Sequence, residues 1–319
     1  MNLFSTPVYL ETLAQVRYPN QPWAIKTYEV AGKLFRLLEL EGHRPVTSAD
    51  FLDFFEPLAG APEGPAQPLA YLPKAVLTTE RAEGPPATPG GAGRFPSPFV
   101  DWSGFPQWSD YLTYLARAAG PSQDDSRRKL KKLERDLGRV EFVFDDPRPF
   151  VFEQCLRWKS AQYRETGHAD LFLDPRNAEM LRRLRQKGAV VVSSLSAGST
   201  LAAAHLGGLA DNRHYWWVPA YDPAHSRYSP GRLMLERILE ESHRRGHAEF
   251  DFLIGDEPYK WQYATHQRVI GPLGEAPLSL RLEREAKRRL KTALGHYPRL
   301  LELAVQLEKE LVRLRLAPP

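Results

Sequence analysis

Residues 249–263 read EFDFLIGDEPYKWQY. Phe250 and Phe252 alternate with Asp251 and Leu253, which predicts a strand over 248–254 with the two phenylalanines facing the core and Asp251 on the other face. The strand runs straight into Gly255-Asp256-Glu257, and Tyr259, Lys260 and Trp261 follow at once. Two readings suit this order. One is a polar strand end with a local salt bridge and aromatic packing. The other is a site, in which Asp256 or Glu257 takes a proton and Lys260 anchors an anion or pairs with Asp256 at near-helical spacing.

The chain before this stretch has the rhythm of an α/β protein with a mixed sheet. Strands are expected at 140–144, 189–196, 200–210 and 214–222, with the turn Asp211-Asn212 before the last, and helices at 149–165 and 174–186. Asp174 is an N-cap, with Pro175 just inside and Gly188 just past the end. A loop, PAHSRYSPG (223–231), leads into a helix over 232–246 with Leu233, Leu235, Ile238 and Leu239 on its apolar side. Strand, helix and strand over 214–254 predict parallel neighbours joined by a right-handed crossover. A crevice is then expected at their C-terminal ends, Val218–Asp222 and Ile254–Glu257. A short helix at YKWQYAT and a strand at 266–273 complete the order.

Outward from this core the pattern loosens. The helix ending at Gly138 is capped by Ser122 or Asp124 and carries Arg127, Arg128, Lys129, Lys131, Lys132 and Arg135. These residues form either a solvated face or an anion-binding one. Residues 33–46 and 48–58 are read as strand and helix, and a helix starts near Trp108. Between them, residues 58–98 are dense in Pro, Gly and Ala and read as a long loop. From Ser279 the tail is helical, with apolar residues at threes and fours. It either packs on the body or forms a homodimer contact.

Composition sets broad limits. The 319 residues include 42% hydrophobic and 26% charged, with net charge +4, which permits an anionic ligand without requiring nucleic acid. The single Cys155 excludes an internal disulfide framework and suggests a reducing, cytoplasmic setting. The first residues lack a signal-peptide pattern, and no window has transmembrane length. No histidine spacing suggests a metal site.

Three pieces, SRRKLKKLERDLG before a strand, YDPAHSRYSPGRLMLERILEESHRRG, and FDFLIGDEPYKWQY, resemble the GNAT acyltransferases, and more closely their FemAB/CelD-like branch. The resemblance is best over residues 122–273. It implies a degenerate GNAT-like domain at 1–121, a fuller GNAT domain at 122–278 and a helical tail at 279–319. It also implies an N-acyltransferase moving an acyl group from acyl-CoA to a small-molecule amine in a ternary complex, in cell-envelope or exopolysaccharide metabolism. By analogy Tyr259 would protonate the leaving thiolate. The helix start at Arg227, Ser229, Gly231 and Arg232 would take the diphosphate of coenzyme A on free backbone N–H groups. The pattern departs from the usual one there, with a single glycine and with Pro230 removing a donor. His205, Tyr215, Trp217 and Asp251 are expected either to line the crevice or to serve the sheet and core. Relatives of the branch use aminoacyl-tRNA as donor, which is the alternative. A third possibility is a non-catalytic binding protein on a decayed fold.

Overall fold

A computed structural model describes residues 2–60, 64–82, 93–118, 123–278 and 281–282. The chain divides into a unit of residues 1–273 and a second of residues 274–319. The expected tail helix and its dimer contact fall almost wholly outside the described residues. In chain order the strands are β1 (Trp23–Val30), β2 (Lys33–Leu40), β3 (Gln67–Pro68), β4 (Tyr71–Arg81), β5 (Phe95–Asp101), β6 (Val140–Val143), β7 (Val190–Ala197), β8 (Thr200–Ala210), β9 (Arg213–Tyr221), β10 (Glu249–Asp251) and β11 (His266–Gly274). The helices are α1 (Pro7–Arg17), α2 (Trp108–Arg117), α3 (Gln123–Leu137), α4 (Pro149–Glu165), α5 (Pro175–Gln186), α6 (Pro230–Arg244) and α7 (Pro258–Trp261).

The first unit is built on one mixed sheet in the order β4-β11-β5-β10-β9-β8-β7-β6, beside a small sheet β2-β1-β3. Alternate residues of the central strands enter two cores. Val190, Val192, Leu206 and Tyr215 face α1, α4, α5 and the small sheet. Val191, Leu195, Trp216 and Phe250 face α2, α3 and α6. This two-sided burial explains why β7 and β8 read as nearly continuous apolar runs. Asp174 caps α5 by accepting the Arg176 N–H, and Asp211 and Asn212, at φ 48° and 58°, make the tight turn between β8 and β9.

Residues 58–98 correct the expectation of a long loop, because β4 and the start of β5 lie there. Proline density concealed them. Pro96 and Pro98 cannot donate to a ladder, but their carbonyls accept from Gly255 and Phe252, each at 3.0 Å. β5 lies between β10 and β11, so strands from both sides of the expected boundary at 121/122 share one sheet within the unit of residues 1–273. Residues 48–58 hold no helix. They run extended, with Phe54 and Phe55 buried and Phe55 bridged to Ala75.

The predicted parallel pair is present, with Glu249–Asp251 of β10 against Arg213–Tyr215 of β9. β10 stops three residues earlier than its alternation suggests. Leu253 adopts a left-handed φ of 63°, and the Phe252 N–H turns to β5. β9 continues to Tyr221, paired with β8 alone beyond Tyr215. The two strands therefore part at their C-terminal ends and leave a crevice between them.

Candidate functional site

The crevice opens into a cavity of about 470 Å³. Trp216, Trp217 and Pro219 of β9 form one wall, and Phe252, Leu253 and Ile254 form the other. A bulge between β8 and β9, where the register shifts between Leu206 and Gly208, lets the consecutive residues Trp216 and Trp217 both reach it. α4 contributes Lys159, Gln162 and Tyr163, and the N-terminal third contributes Phe51, Asp53 and Lys74.

The end of the quoted stretch forms the cavity's charged lip. The four-residue α7 begins at Pro258, and its geometry turns Lys260 back onto the strand end. The buried Lys260 ammonium donates to the Ile254 carbonyl at 3.1 Å and pairs with Glu257 at 2.9 Å. Gly255 makes this possible. At φ 149°, an added Cβ would lie 2.0 Å from Glu257 Oε2 and 2.5 Å from Lys260 Nζ. Tyr259 accepts a hydrogen bond from the Trp216 indole N–H at 3.1 Å, across the gap between the strands. Burial pushes its hydroxyl up to about 12, against a partial offset from that hydrogen bond. With its lone pair engaged by Trp216, the Tyr259 O–H remains free to donate. Glu257, Tyr259 and Lys260 thus come together. Asp256 does not join them: it is exposed and absent from the cavity wall, and Glu257 replaces it as the partner of Lys260.

Asp53 is the residue the sequence did not reveal. Its Oδ2 accepts the Ile254 N–H at 2.9 Å, tying a segment 201 residues away to the strand end. Burial raises its pKa, partly offset by that N–H and by the charges of Lys74 and Lys260. Lys159 donates to Gln162 at 3.1 Å and lies over the Tyr163 ring at 5.1 Å. Burial lowers its pKa. Isolated in SADFLDFF, Asp53 looks like any polar residue between apolar ones, and α4 reads as an amphipathic helix. Only the long-range contacts mark them.

Of the four residues expected to line the crevice, Trp217 does so. His205 is buried under Trp216, with ring centroids 4.2 Å apart, and its Nε2 accepts the Trp217 N–H at 3.2 Å, satisfying the bulge. Burial lowers its pKa to about 3, which keeps it neutral. Tyr215 points into the α4-side core, where its hydroxyl accepts the Leu3 N–H at 3.2 Å. Asp251 is fully buried, accepts the Leu253 N–H at 2.7 Å and pairs with Arg268 at 3.0 Å. These three serve the scaffold.

The start of α6 also differs from expectation. Ser229 is left-handed, at φ 52°, and makes no side-chain cap. Its hydroxyl instead accepts from Lys129 of α3 at 2.6 Å. Arg232 is paired with Asp125 at 3.0 Å and Glu236 at 3.1 Å. A Cβ on Gly231 would press on the Tyr221 ring at 3.2 Å. Among the described residues, the cations at this end include Lys129, Lys132 over the Tyr228 ring at 5.9 Å, and Arg227, exposed over the same ring at 4.7 Å. The group fits here as a side-chain cation site more than as a glycine-rich cradle.

Residues 122–261 match the acetyltransferase (GNAT) domain family. Among solved structures, FemX shares the fold at a TM-score of 0.52 and 9% identity, covering 85% of this chain and 91% of its own. L-PGS from Bacillus licheniformis aligns at a TM-score of 0.45 and 10% identity, over 91% of this chain and 98% of that one. No curated protein matches the sequence. The chain is thus similar to the GNAT acyltransferases over residues 122–261, and its mixed α/β fold is shared with FemX. No described helix is long and apolar enough to cross a membrane.

Proposed function

We propose that the protein is an N-acyltransferase that moves an acyl group from acyl-CoA to an amine in the crevice between β9 and β10. One observation carries this reading: Tyr259 and Lys260, Trp216, and Asp53 converge from three separate segments on one cavity at the strand ends. The amine, neutral once its ammonium has lost a proton to water, bonds through nitrogen to the thioester carbonyl carbon, and Asp53, whose raised pKa suits a general base better than an exposed carboxylate would, takes the N–H proton shed as the amide forms. Lys260, held by Ile254 and Glu257, faces the oxyanion that forms. The C–S bond breaks, and the Tyr259 proton passes to the sulfur. The diphosphate end of the donor rests near Lys129 and Arg227.

Transfer from a series of acyl-CoA species to a panel of amines, read by mass spectrometry, tests this. Asp53→Asn should lower kcat/KM by about 10²–10⁴-fold. In the wild type, activity should rise with pH as the Asp53 carboxyl ionises, in a range above that of an ordinary aspartate. If acylation proceeds unchanged in Asp53→Asn and in Lys260→Met, the assignment of this site is wrong.

A second reading keeps the cavity and changes the donor to aminoacyl-tRNA. It is favoured by a basic face formed by Arg127, Arg128, Lys131, Lys132 and Arg135 on α3, with Asp124 at its edge. RNA on that face would give binding that falls steeply with salt, whereas binding of a thioester would not.

A further inference from the structure

We propose that the acceptor this cavity takes is an amine that also carries an anionic group, a carboxylate or a phosphate, held by Lys74 and Lys159 while the amine lies at Asp53. This rests on the acyl-transfer reading of the same cavity. The reasoning is a charge count. Besides His168 and the tyrosines, five acidic and basic groups line the cavity: Asp53, Glu257, Lys74, Lys159 and Lys260. Lys260 and Glu257 neutralise each other at 2.9 Å. Asp53 uses Oδ2 for the Ile254 N–H, and among the described residues its Oδ1 has no partner, so it is free to accept from an ammonium.

That leaves Asp53 and two lysines, a net charge of +1, and once Asp53 takes the acceptor's ammonium neither lysine has a counter-charge. Among the described residues Lys74 makes no hydrogen bond or ion pair, and Lys159 reaches only the Gln162 amide oxygen at 3.1 Å and the Tyr163 ring. Both are partly withdrawn from water, where an unpaired ammonium is costly. Burial lowers the pKa of Lys159, partly offset by the Glu257 charge, and Lys260 adds a smaller like-charge push in the same direction as burial. A ligand that brings an anion removes this cost, whereas a plain amine adds a further positive charge beside it. The two lysines come from β4 and α4, on separate segments from Asp53, and Trp217 and Tyr163 line the space with ring surface. An acceptor with its amine and its anion at opposite ends matches that layout.

Binding without any donor is the test, followed through the fluorescence of Trp216 and Trp217, with each probe titrated to millimolar concentration. Two probe pairs differ only in the anion: L-lysine against cadaverine, and O-phosphoethanolamine against ethanolamine. In at least one pair the anionic member should bind about tenfold tighter or more, and which pair does so tells carboxylate from phosphate. Lys74→Gln with Lys159→Gln should abolish the preference in a protein whose circular dichroism is unchanged, and Lys159→Arg should keep it. Equal binding within both pairs, or no binding by either anionic probe, overturns the proposal. So does a preference that survives in the double glutamine variant. Should that variant not fold, the wild-type pairs and Lys159→Arg decide alone. The outcome is separable from the acyl-transfer reading: failure of acyl-CoA as donor leaves a binding preference standing, and absence of the preference leaves transfer to a simple amine standing.

Discussion

Asp251 and Asp53 are both carboxylates withdrawn from water at the same strand end, and burial raises the pKa of both. They differ in their company. Asp251 sits in a closed network. Arg268 pairs with it at 3.0 Å, with Glu56 at 2.9 Å and with Glu249, while Arg213 holds Glu56 at 2.6 Å and Glu249 at 3.0 Å. Every charge there has a partner, and the cluster joins the N-terminal third to β9, β10 and β11. Asp53 has one backbone donor and faces a cavity with two unpaired lysines. The comparison teaches that burial alone does not mark a site. A buried acid in a complete network is scaffold, and one beside unpaired cations and open space is machinery.

The largest expected effect breaks the closed network. Arg268→Ala leaves three carboxylates without their shared cation, and removing one partner of a buried pair typically costs about 3–5 kcal/mol. Urea denaturation should show a loss of that order. Lys74→Ala in the cavity should change stability by no more than about 0.5 kcal/mol. Equal losses would collapse the distinction. The pH dependence gives a second view. The folded pKa of Asp251, about 6, lies above the ordinary 3.8, so the folded state favours its protonated form. Its burial therefore opposes folding above about pH 6, and that opposition is relieved as pH falls from about 6 towards 4. Asp251→Asn should remove this part of the profile.

Gly255→Ala should act between the two regions. The new Cβ overlaps Glu257 and Lys260, and the φ of 149° is strained for any residue with a side chain. A residue forced into such a region costs about 1–3 kcal/mol. Acyl transfer should fall with it, because Lys260 loses its place on the Ile254 carbonyl. If activity is kept while stability drops, Lys260 does not depend on that place.

Much of this was legible in the sequence, and the failures share a cause. The order β6 to β11 followed from period, caps and turns, because α4, α5 and α6 carry strong local signals at Asp174, Pro175, Gly188 and Gly246. Glu257, Tyr259 and Lys260 were visible as a cluster because they are neighbours in the chain. β4 was missed because proline and glycine around it mimic a loop, and its buried residues, Leu72 and Ala75, do not alternate. Asp53, Lys74 and Lys159 were missed because their meaning lies in contacts across roughly 100–200 residues, for which a single sequence carries no pattern. For Tyr215 and His205 alternation left the crevice and the core both open, and the core is where they lie. The bulge at Gly208 shifts that alternation and puts Trp216 at the crevice.

The smallest predicted effect concerns Trp216, and it sharpens the comparison because it removes one hydrogen bond and no charge. Trp216→Phe keeps ring surface against His205 and Phe250 but loses the N–H that Tyr259 accepts at 3.1 Å. A single hydrogen bond is worth about 0.5–1.5 kcal/mol, so kcat should fall about two- to tenfold. KM should hold, since the indole N–H orients the tyrosine rather than a substrate. The double variant with Tyr259→Phe isolates the cause. If Trp216 acts only by engaging the Tyr259 oxygen so that its proton points to the leaving sulfur, then Trp216→Phe does nothing further once that hydroxyl is gone. Additive losses in the cycle would mean that the indole supports the crevice wall, and the open end of the strand pair would then hold one scaffold residue more.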